Sequence, residues 1–142
     1  MSIGPKVAAL AIVVHEGKVL LVRRRNEPDA GLWGYPGGHV EFGETALDAA
    51  ARELREETTV HATPTEYLTN IDVVAKNPLG EITHHFLLAA VLCQYQSGTP
   101  LAQDDVSGAG WVDFERVTGS TLPMSDHVDT VLKLALHRMD LG

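Results

Sequence analysis

The strongest structural signal in this chain is a loop-forming stretch followed directly by a helix-forming one. Residues 26–43 contain five glycines and two prolines, whereas Glu44–Glu57 contains neither and is rich in Ala, Leu, Glu and Arg. Glycine and proline interrupt regular elements, so the first stretch is predicted to be a long structured loop. The second is the clearest helix in the chain and begins at Glu44 or Thr45. Loops this long in a small domain are usually functional.

The other elements indicate a layered architecture. Strands are predicted at 7–14, 19–22, about 66–74, about 82–93 and 110–113. The first two flank a turn and form a β-hairpin, and a second turn at 77–80 separates the third and fourth strands. The order of strands, helix, strands, helix predicts an α/β/α sandwich around a mixed β-sheet, folded as a single domain over residues 1–142.

A second helix is predicted from Ser125 to Arg138, with Ser125 as its N-cap after a proline. Its apolar positions recur at helical spacing and are expected to cover one face of the sheet. They are Val128, Val131, Leu132, Leu134, Ala135 and Met139.

Composition excludes several classes of function. The formal charge of the 142 residues is -8, and an acidic surface repels polyphosphate, so nonspecific nucleic-acid binding is not expected. Cys93 is the one cysteine, which rules out an internal disulfide and predicts a buried strand thiol in a reducing, cytoplasmic setting. No apolar stretch reaches the roughly 18 residues of a membrane span. A small phosphorylated ligand would need local arginines or a metal ion.

The predicted helix at 44–57 carries its carboxylates on one side. Helical spacing brings Glu53, Glu56 and Glu57 together, apart from the apolar face that includes Leu54. Crowded carboxylates raise one another's pKa unless a cation is present, and hard oxygen ligands suit Mg²⁺ or Mn²⁺. From the helix alone, a solvated acidic face stabilised by neighbouring arginines such as Arg52 explains the pattern better.

With the preceding loop included, the sequence favours a metal-binding site over a solvated acidic face. The chain has Gly38, five residues, Glu44, seven residues and then Arg52-Glu53-Leu54-Arg55-Glu56-Glu57, led in by Pro36-Gly37-Gly38. This spacing, over residues 38–60, closely resembles the signature of the Nudix hydrolases, a loop–helix–loop motif that binds divalent metal. Thr59 stands where the family normally has glycine. Because threonine is strained in a left-handed conformation, we expect the helix to end in another geometry.

The resemblance implies a role for each matching residue. Glu56 and Glu57 are the central metal ligands, and Glu53 is a ligand or the general base. Glu44 helps to position the attacking water, and Arg52 orients the glutamates. A backbone carbonyl at Gly37 or Gly38 completes the coordination. Two or three Mg²⁺ ions (or Mn²⁺) neutralise a diphosphate and activate water, without a covalent intermediate.

Further candidates come from outside the motif. Asp105, which we favour over its neighbour Asp104, is a candidate acidic ligand or base from a later loop, as in many members of the family. Arg23 and Arg25 share one face of the second strand, with Arg24 on the other, and one of the three is a candidate phosphate clamp. Each reading competes with an ordinary solvated side chain.

Aromatic and histidine side chains complete the candidate set. Trp33 or Tyr35 is a candidate for stacking on a base, against simple packing of the loop. His39, inside the motif, has the best claim among the histidines to contact phosphate or base. His84 and His85 are adjacent on a strand, so at most one of them joins a site.

The resemblance therefore implies a Mg²⁺-dependent pyrophosphohydrolase acting on a nucleoside diphosphate derivative. Two substrate branches stay open, an ADP-ribose-type compound and a (deoxy)nucleoside triphosphate. A noncatalytic nucleotide sensor of the same fold and a structural divalent-ion protein are the alternatives. The implied partner is a small nucleotide, with no nucleic acid and no membrane, and relatives often form homodimers.

Overall fold

The protein, represented by a computed structural model, is described over residues 4–140. Its strands are β1 (Lys6–His15), β2 (Lys18–Arg24), β3 (Trp33–Gly34), β4 (Gly37–His39), β5 (His61–Lys76), β6 (Ile82–Ser97) and β7 (Val106–Asp113). Its helices are α1 (Ala46–Thr58), α2 (Phe114–Thr118) and α3 (Val128–Arg138). The predicted hairpin and the predicted helix after the glycine-rich stretch are confirmed, and Thr45 is the N-cap of α1. No helix in this part of the chain is long and apolar enough to cross a bilayer.

The sheet is mixed, as predicted. Its strands follow the order β3, β2, β1, β6, β5, with β4 also paired to β1 and β7 to β2. β1 and β6 run parallel, and the other pairs are antiparallel. Residues 8–10 of β1 pair with β4, whereas Val14 and His15 pair with β2. Because its two partners take different parts of β1, they diverge and leave a gap between β4 and the end of β2.

Helices cover both faces of this sheet, which confirms the α/β/α sandwich. Ala9 and Ala11 of β1 pack with Leu54 of α1 in one core. Ile12, on the opposite face of the same strand, packs in a second core with Leu132 of α3. β1 is therefore apolar on both sides, since a central strand between two helical layers has no face toward water.

The stretch at 26–43 is more regular than predicted, because it contains β3 and β4. Glycine permits this regularity: a Cβ at Gly37 would collide with the carbonyl oxygen of Ala9 in the paired strand. Only a residue without a side chain allows β4 to lie this close to β1. The prediction of a strandless loop was wrong for this reason.

The last helix begins later than predicted. α3 starts at Val128, and His127 before it has a left-handed backbone with φ 74°, so Ser125 is not the N-cap. Leu134 and Met139, expected to face the sheet, are 42% and 37% exposed, and Leu136 is buried instead. α2, at 114–118, was not predicted, because five residues are too few to show helical periodicity.

Thr59 does adopt the conformation that the sequence argument rejected. Its φ is 64° and its ψ is 1°, and its N–H donates to the Arg55 carbonyl at 2.9 Å to close α1. The hydroxyl donates to the carbonyl of Thr99 at 3.0 Å, which is the local compensation for a strained backbone. The geometry usual for glycine is thus retained with threonine in the position.

This strain is measurable by comparing two substitutions at one site. Thr59→Gly is expected to be more stable than Thr59→Ala by about 1 kcal/mol, because only glycine relieves the left-handed backbone. Both variants lose the hydroxyl contact to Thr99, so their difference isolates the backbone effect. Urea unfolding monitored by far-UV circular dichroism measures it, and equal stabilities would contradict the left-handed assignment.

Candidate functional site

A cavity of about 550 Å³ is lined by residues of β4 and of the end of β2, the two strands that share one edge of β1. Its charged lining includes Glu53 and Glu57 from α1, Arg24 from the end of β2, and Asp105 from the loop before β7. Gly37 and Gly38 of β4 contribute backbone. The glycine-rich stretch and the acidic helix, adjacent in sequence, thus meet on one surface.

Glu57 is the most deeply placed carboxylate of the cavity, with 8% of the residue exposed. Its Oε1 accepts a hydrogen bond from the N–H of Gly37 at 2.9 Å. Burial, together with the charges of Glu53 and Asp105, raises the pKa of Glu57 to about 8 against the opposing effects of Gly37 and Arg24. Such a carboxylate gains strongly from a neighbouring cation.

Glu53 lies one helical turn before Glu57 and contacts the β4 backbone. A Cβ at Gly38 would come within 2.6 Å of Glu53 Oε2, so the carboxylate occupies space that any other residue at 38 would take. Burial also raises the pKa of Glu53, while its hydrogen bond with Arg52 lowers it. The two glycines therefore set the positions of the two glutamates.

Arg52 connects the helix to the loop. Its Nε and Nη2 donate to the two carboxylate oxygens of Glu44 at 2.7 and 2.9 Å, a bidentate pair that lowers the pKa of Glu44. Nη1 donates to Glu53 Oε1 at 2.9 Å, and Nη2 also donates to the carbonyl of His39 at 3.0 Å. This network fixes Glu53 relative to β4.

Glu56 is turned away from the cavity. Its carboxylate accepts from Nη1 of Arg52 at 3.2 Å, and 42% of its side chain is exposed. Helical spacing places Glu56 on the same side of α1 as Glu53 and Glu57, but the guanidinium of Arg52 holds it on the solvent side. Glu56 and Glu44 are outside the cavity lining, and both touch Arg52.

The donor set fits a small divalent cation. Within residues 4–140, no three His, Cys, Asp or Glu side chains converge on one point. Mg²⁺ does not require such a cage, since it commonly binds one or two carboxylates and takes its remaining ligands from waters and substrate phosphates. Glu53 and Glu57, with the carbonyls of Gly37 and Gly38, supply hard oxygens of that kind.

The loop before β7 is fastened to the end of α1. The N–H of Leu101 donates to the Thr58 carbonyl and that of Gln103 to the Glu57 carbonyl, each at 2.9 Å. This attachment brings Asp105 into the cavity lining, whereas Asp104 is not part of the lining. Of the two acids considered from sequence, the one favoured lies at the cavity.

The three consecutive arginines at the end of β2 and just after it, Arg23, Arg24 and Arg25, point in different directions. Arg23 donates to Ser107 Oγ at 2.8 Å and lies 5.9 Å from the ring of Trp33, and Arg25 donates to the carbonyl of Val106. Neither belongs to the cavity lining, whereas Arg24 does. Alternation along the strand separated Arg24 from the other two in the sequence, but the occupied face could not be identified from it.

Of the two aromatic candidates, Tyr35 lines the cavity and Trp33 does not. Trp33 packs against the core beneath α3 and is outside the cavity lining. Tyr35 is buried and lines the cavity, and its hydroxyl donates to the Val128 carbonyl at 2.6 Å. His39 lines the cavity too, with its ring 5.8 Å from that of Phe86. His84 and His85 are not part of the lining.

A second group of lining residues was not identified from sequence. It comes from β1, from the β5–β6 pair and from the segment before α3, and includes Leu10, Ile71, Val73, Phe86, Leu88 and Ser125. Their contribution depends on long-range strand pairing, which no local pattern reports. The cavity thus combines a charged wall with a second wall that is mostly apolar and also includes Asp72 and Asp126.

Comparison with known proteins agrees with this architecture. The family model described as NUDIX domain matches residues 4–133. Over 113 residues the chain is 31% identical to a Methanocaldococcus jannaschii protein named ADP-ribose pyrophosphatase, covering 80% of this chain and 64% of that protein. It is 34% identical over 113 residues to the Phosphatase NudJ of Escherichia coli (strain K12), covering 80% of this chain and 71% of that protein.

Solved structures are similar in fold. The MutT NUDIX hydrolase from Burkholderia pseudomallei matches with a TM-score of 0.78 and 27% identity, covering 92% of this chain and 98% of that one. The NUDIX domain of Shewanella oneidensis NrtR, solved with ADP ribose, matches with a TM-score of 0.77 over 97% of this chain and 90% of that one, and at 23% identity it supports the fold alone. Motif, fold and family model coincide, and the chain belongs to the Nudix hydrolase family.

Proposed function

We propose that this chain is a divalent-metal-dependent pyrophosphohydrolase that splits the phosphoanhydride of a nucleoside diphosphate derivative. One observation carries the proposal: Glu53 and Glu57, one helical turn apart, line the same cavity as Arg24. Two carboxylates beside an arginine suit a cation and the diphosphate that it accompanies. The net charge of -8 makes such local compensation necessary for an anionic substrate.

Each residue of the charged wall has a proposed task. Glu53 and Glu57 hold the cation, together with a carbonyl of Gly37 or Gly38, and Glu56 contributes through Arg52 or as a further ligand. Arg24 binds a phosphate oxygen. When bound, Mg²⁺ or Mn²⁺ supplies neutralisation of the diphosphate charge and a lowered pKa for water. Either Glu53 or Asp105 accepts the proton of the attacking water, because both line the cavity.

Two residues act through others. Arg52 is a positioning residue that orients Glu53, and the bidentate contact of Glu44 holds Arg52 in place. Glu44 has both carboxylate oxygens occupied by Arg52, so we assign it to support of the arginine rather than to the water. Arg23, Arg25 and Trp33 stay predictions for substrate contact, whereas His39 has the better position because it lines the cavity.

The experiment that tests this proposal is a panel of nucleotides incubated with the protein and Mg²⁺ or Mn²⁺, with products identified by chromatography. An ADP-ribose-type substrate gives AMP and a sugar phosphate, and a nucleoside triphosphate gives a monophosphate and pyrophosphate. The bond that breaks separates the two branches. Binding of nucleotides without any product would instead support the noncatalytic sensor, and hydrolysis that persists in EDTA would contradict the metal requirement.

The two glycines of β4 give a paired prediction. Gly38→Ala is expected to lower hydrolysis by about tenfold or more with little loss of stability, because its Cβ displaces only the flexible end of Glu53. Gly37→Ala is expected to lower the melting temperature by several degrees, because its Cβ meets the backbone of Ala9. Thermal melting and initial rates measured on both variants check this. Equal melting temperatures for the two would contradict the described packing of β4.

A further inference from the structure

One buried hydroxyl in the cavity wall has no partner. Within residues 4–140, Ser125 Oγ is the one buried side-chain oxygen or nitrogen that makes no hydrogen bond, with less than 1 Å² of its surface accessible. It lies 3.6 Å from where a Cβ on Gly34 would be. Buried polar groups are nearly always satisfied, so an unsatisfied hydroxyl on a residue that lines a cavity is a candidate for contact with a bound ligand.

The backbone around Ser125 explains why the hydroxyl is free. The N–H of Ser125 donates to the carbonyl of Trp33, and the N–H of Trp33 donates to the carbonyl of Pro123, each at 2.9 Å. The segment is thus fastened to β3, and α3 begins three residues later at Val128. Ser125 is therefore held beside the cavity without the capping contact that its sequence position predicted.

The residues around Ser125 indicate which part of a nucleotide this wall would suit. The wall near Ser125 includes Tyr35 and Asp126, and the large apolar side chains of the lining include Leu10, Ile71, Val73, Phe86 and Leu88. The hydroxyl of Tyr35 is already engaged with the Val128 carbonyl. A mostly apolar wall that also offers an unused hydroxyl matches a nucleobase, whose faces are apolar and whose edge carries hydrogen-bonding atoms.

We propose that Ser125 is a specificity-determining residue, whose hydroxyl makes a hydrogen bond with the edge of the substrate's nucleobase. The inference rests on the proposed function, in which the charged wall holds the diphosphate and leaves the base for the apolar wall. Less than 1 Å² of the hydroxyl is accessible in its described position, so contact with a base requires rotation about the Cα–Cβ bond to another staggered position, and this rotation breaks no hydrogen bond.

The test compares Ser125→Ala with the wild type on nucleotides that share one phosphate chain and differ only in base. Values of kcat/KM for ATP, GTP, CTP and UTP, or for the corresponding nucleoside diphosphate sugars, give the ratio between best and worst base. We expect Ser125→Ala to reduce that ratio by about tenfold, the effect of one lost hydrogen bond. The ligand-free variant is expected to melt no lower than the wild type, because the lost hydroxyl was unsatisfied.

A second measurement does not depend on turnover. The shifts in melting temperature produced by AMP, GMP, CMP and UMP are expected to differ among bases in the wild type and to converge in Ser125→Ala. Ser97→Ala, an exposed serine at the end of β6 and outside the cavity lining, is the matched control and is expected to keep the wild-type ratios.

Specific outcomes would overturn the assignment. An unchanged ratio between bases in Ser125→Ala, or an equal loss for every base, would place the hydroxyl away from the base edge. A lower melting temperature with unchanged base preference would make the serine structural. If the wild type hydrolyses nothing, the proposed function fails, and the monophosphate shifts still decide whether Ser125 reads the base.

Discussion

Replacing Glu57 by glutamine is expected to lower the turnover of a nucleotide substrate by about a thousandfold, because cation binding supplies several kcal/mol to such reactions. Glutamine keeps the side-chain oxygen that accepts from the Gly37 N–H, so the local geometry is retained. What is lost is the negative charge. Initial rates with saturating Mg²⁺ measure the effect, and calorimetric titration of Mg²⁺ reports the loss of cation affinity directly.

Stability measurements distinguish this loss from misfolding. The pKa of Glu57 is raised from 4.5 to about 8 in the folded protein, so the folded state holds the proton more tightly than the unfolded state. Stability of the metal-free wild type attributable to this group is therefore present at low pH and is lost as the pH rises from about 4.5 through 8. Glu57→Gln is expected to lack this dependence in urea unfolding with EDTA.

The matched control lies on the same helix. Asp48→Asn removes a charge from an exposed position in the first turn of α1, outside the cavity lining, and is expected to leave turnover within about twofold of the wild type. Wild-type turnover in Glu57→Gln would remove this carboxylate from the reaction. A comparable loss in Asp48→Asn would mean that helix charge in general, rather than the cavity, governs the rate.

Arg52→Lys is expected to lower kcat by about 10- to 100-fold with a smaller change in KM, the effect typical of residues that orient metal ligands. The guanidinium makes a bidentate contact with Glu44 and reaches Glu53 and the His39 carbonyl at the same time. A lysine ammonium keeps the charge but lacks the planar fork that joins these groups. Steady-state kinetics on the variant separate the two parameters.

Two further variants test whether Arg52 works by positioning. Arg55→Lys, at an exposed position on the same helix and outside the cavity lining, is expected to retain wild-type kinetics. In a double-mutant cycle, Glu44→Gln is expected to cost little once Arg52 is already lysine, because the two residues act as one unit. Additive effects, or a change confined to KM, would contradict the positioning role.

Much of this protein was predictable from local sequence patterns. The helix that follows the glycine-rich stretch, the hairpin and the family were each identified from residues close together in the chain. Such features are decided locally: helix propensity, glycine at crowded backbone positions and the spacing of acids along a helix act within a few residues. The α/β/α sandwich followed from the order of these elements along the chain.

The positions of single side chains were decided by the tertiary structure. Glu56 faces Arg52 rather than the cavity, Arg24 rather than Arg23 or Arg25 reaches the cavity, and Ser125 lies in its wall instead of capping α3. Each outcome depends on which neighbour a residue meets across the sheet, and residues distant in sequence supply those neighbours. Local patterns determined the helix, the hairpin and the spacing of the acidic residues, whereas long-range strand pairing determined which side chains meet in one cavity.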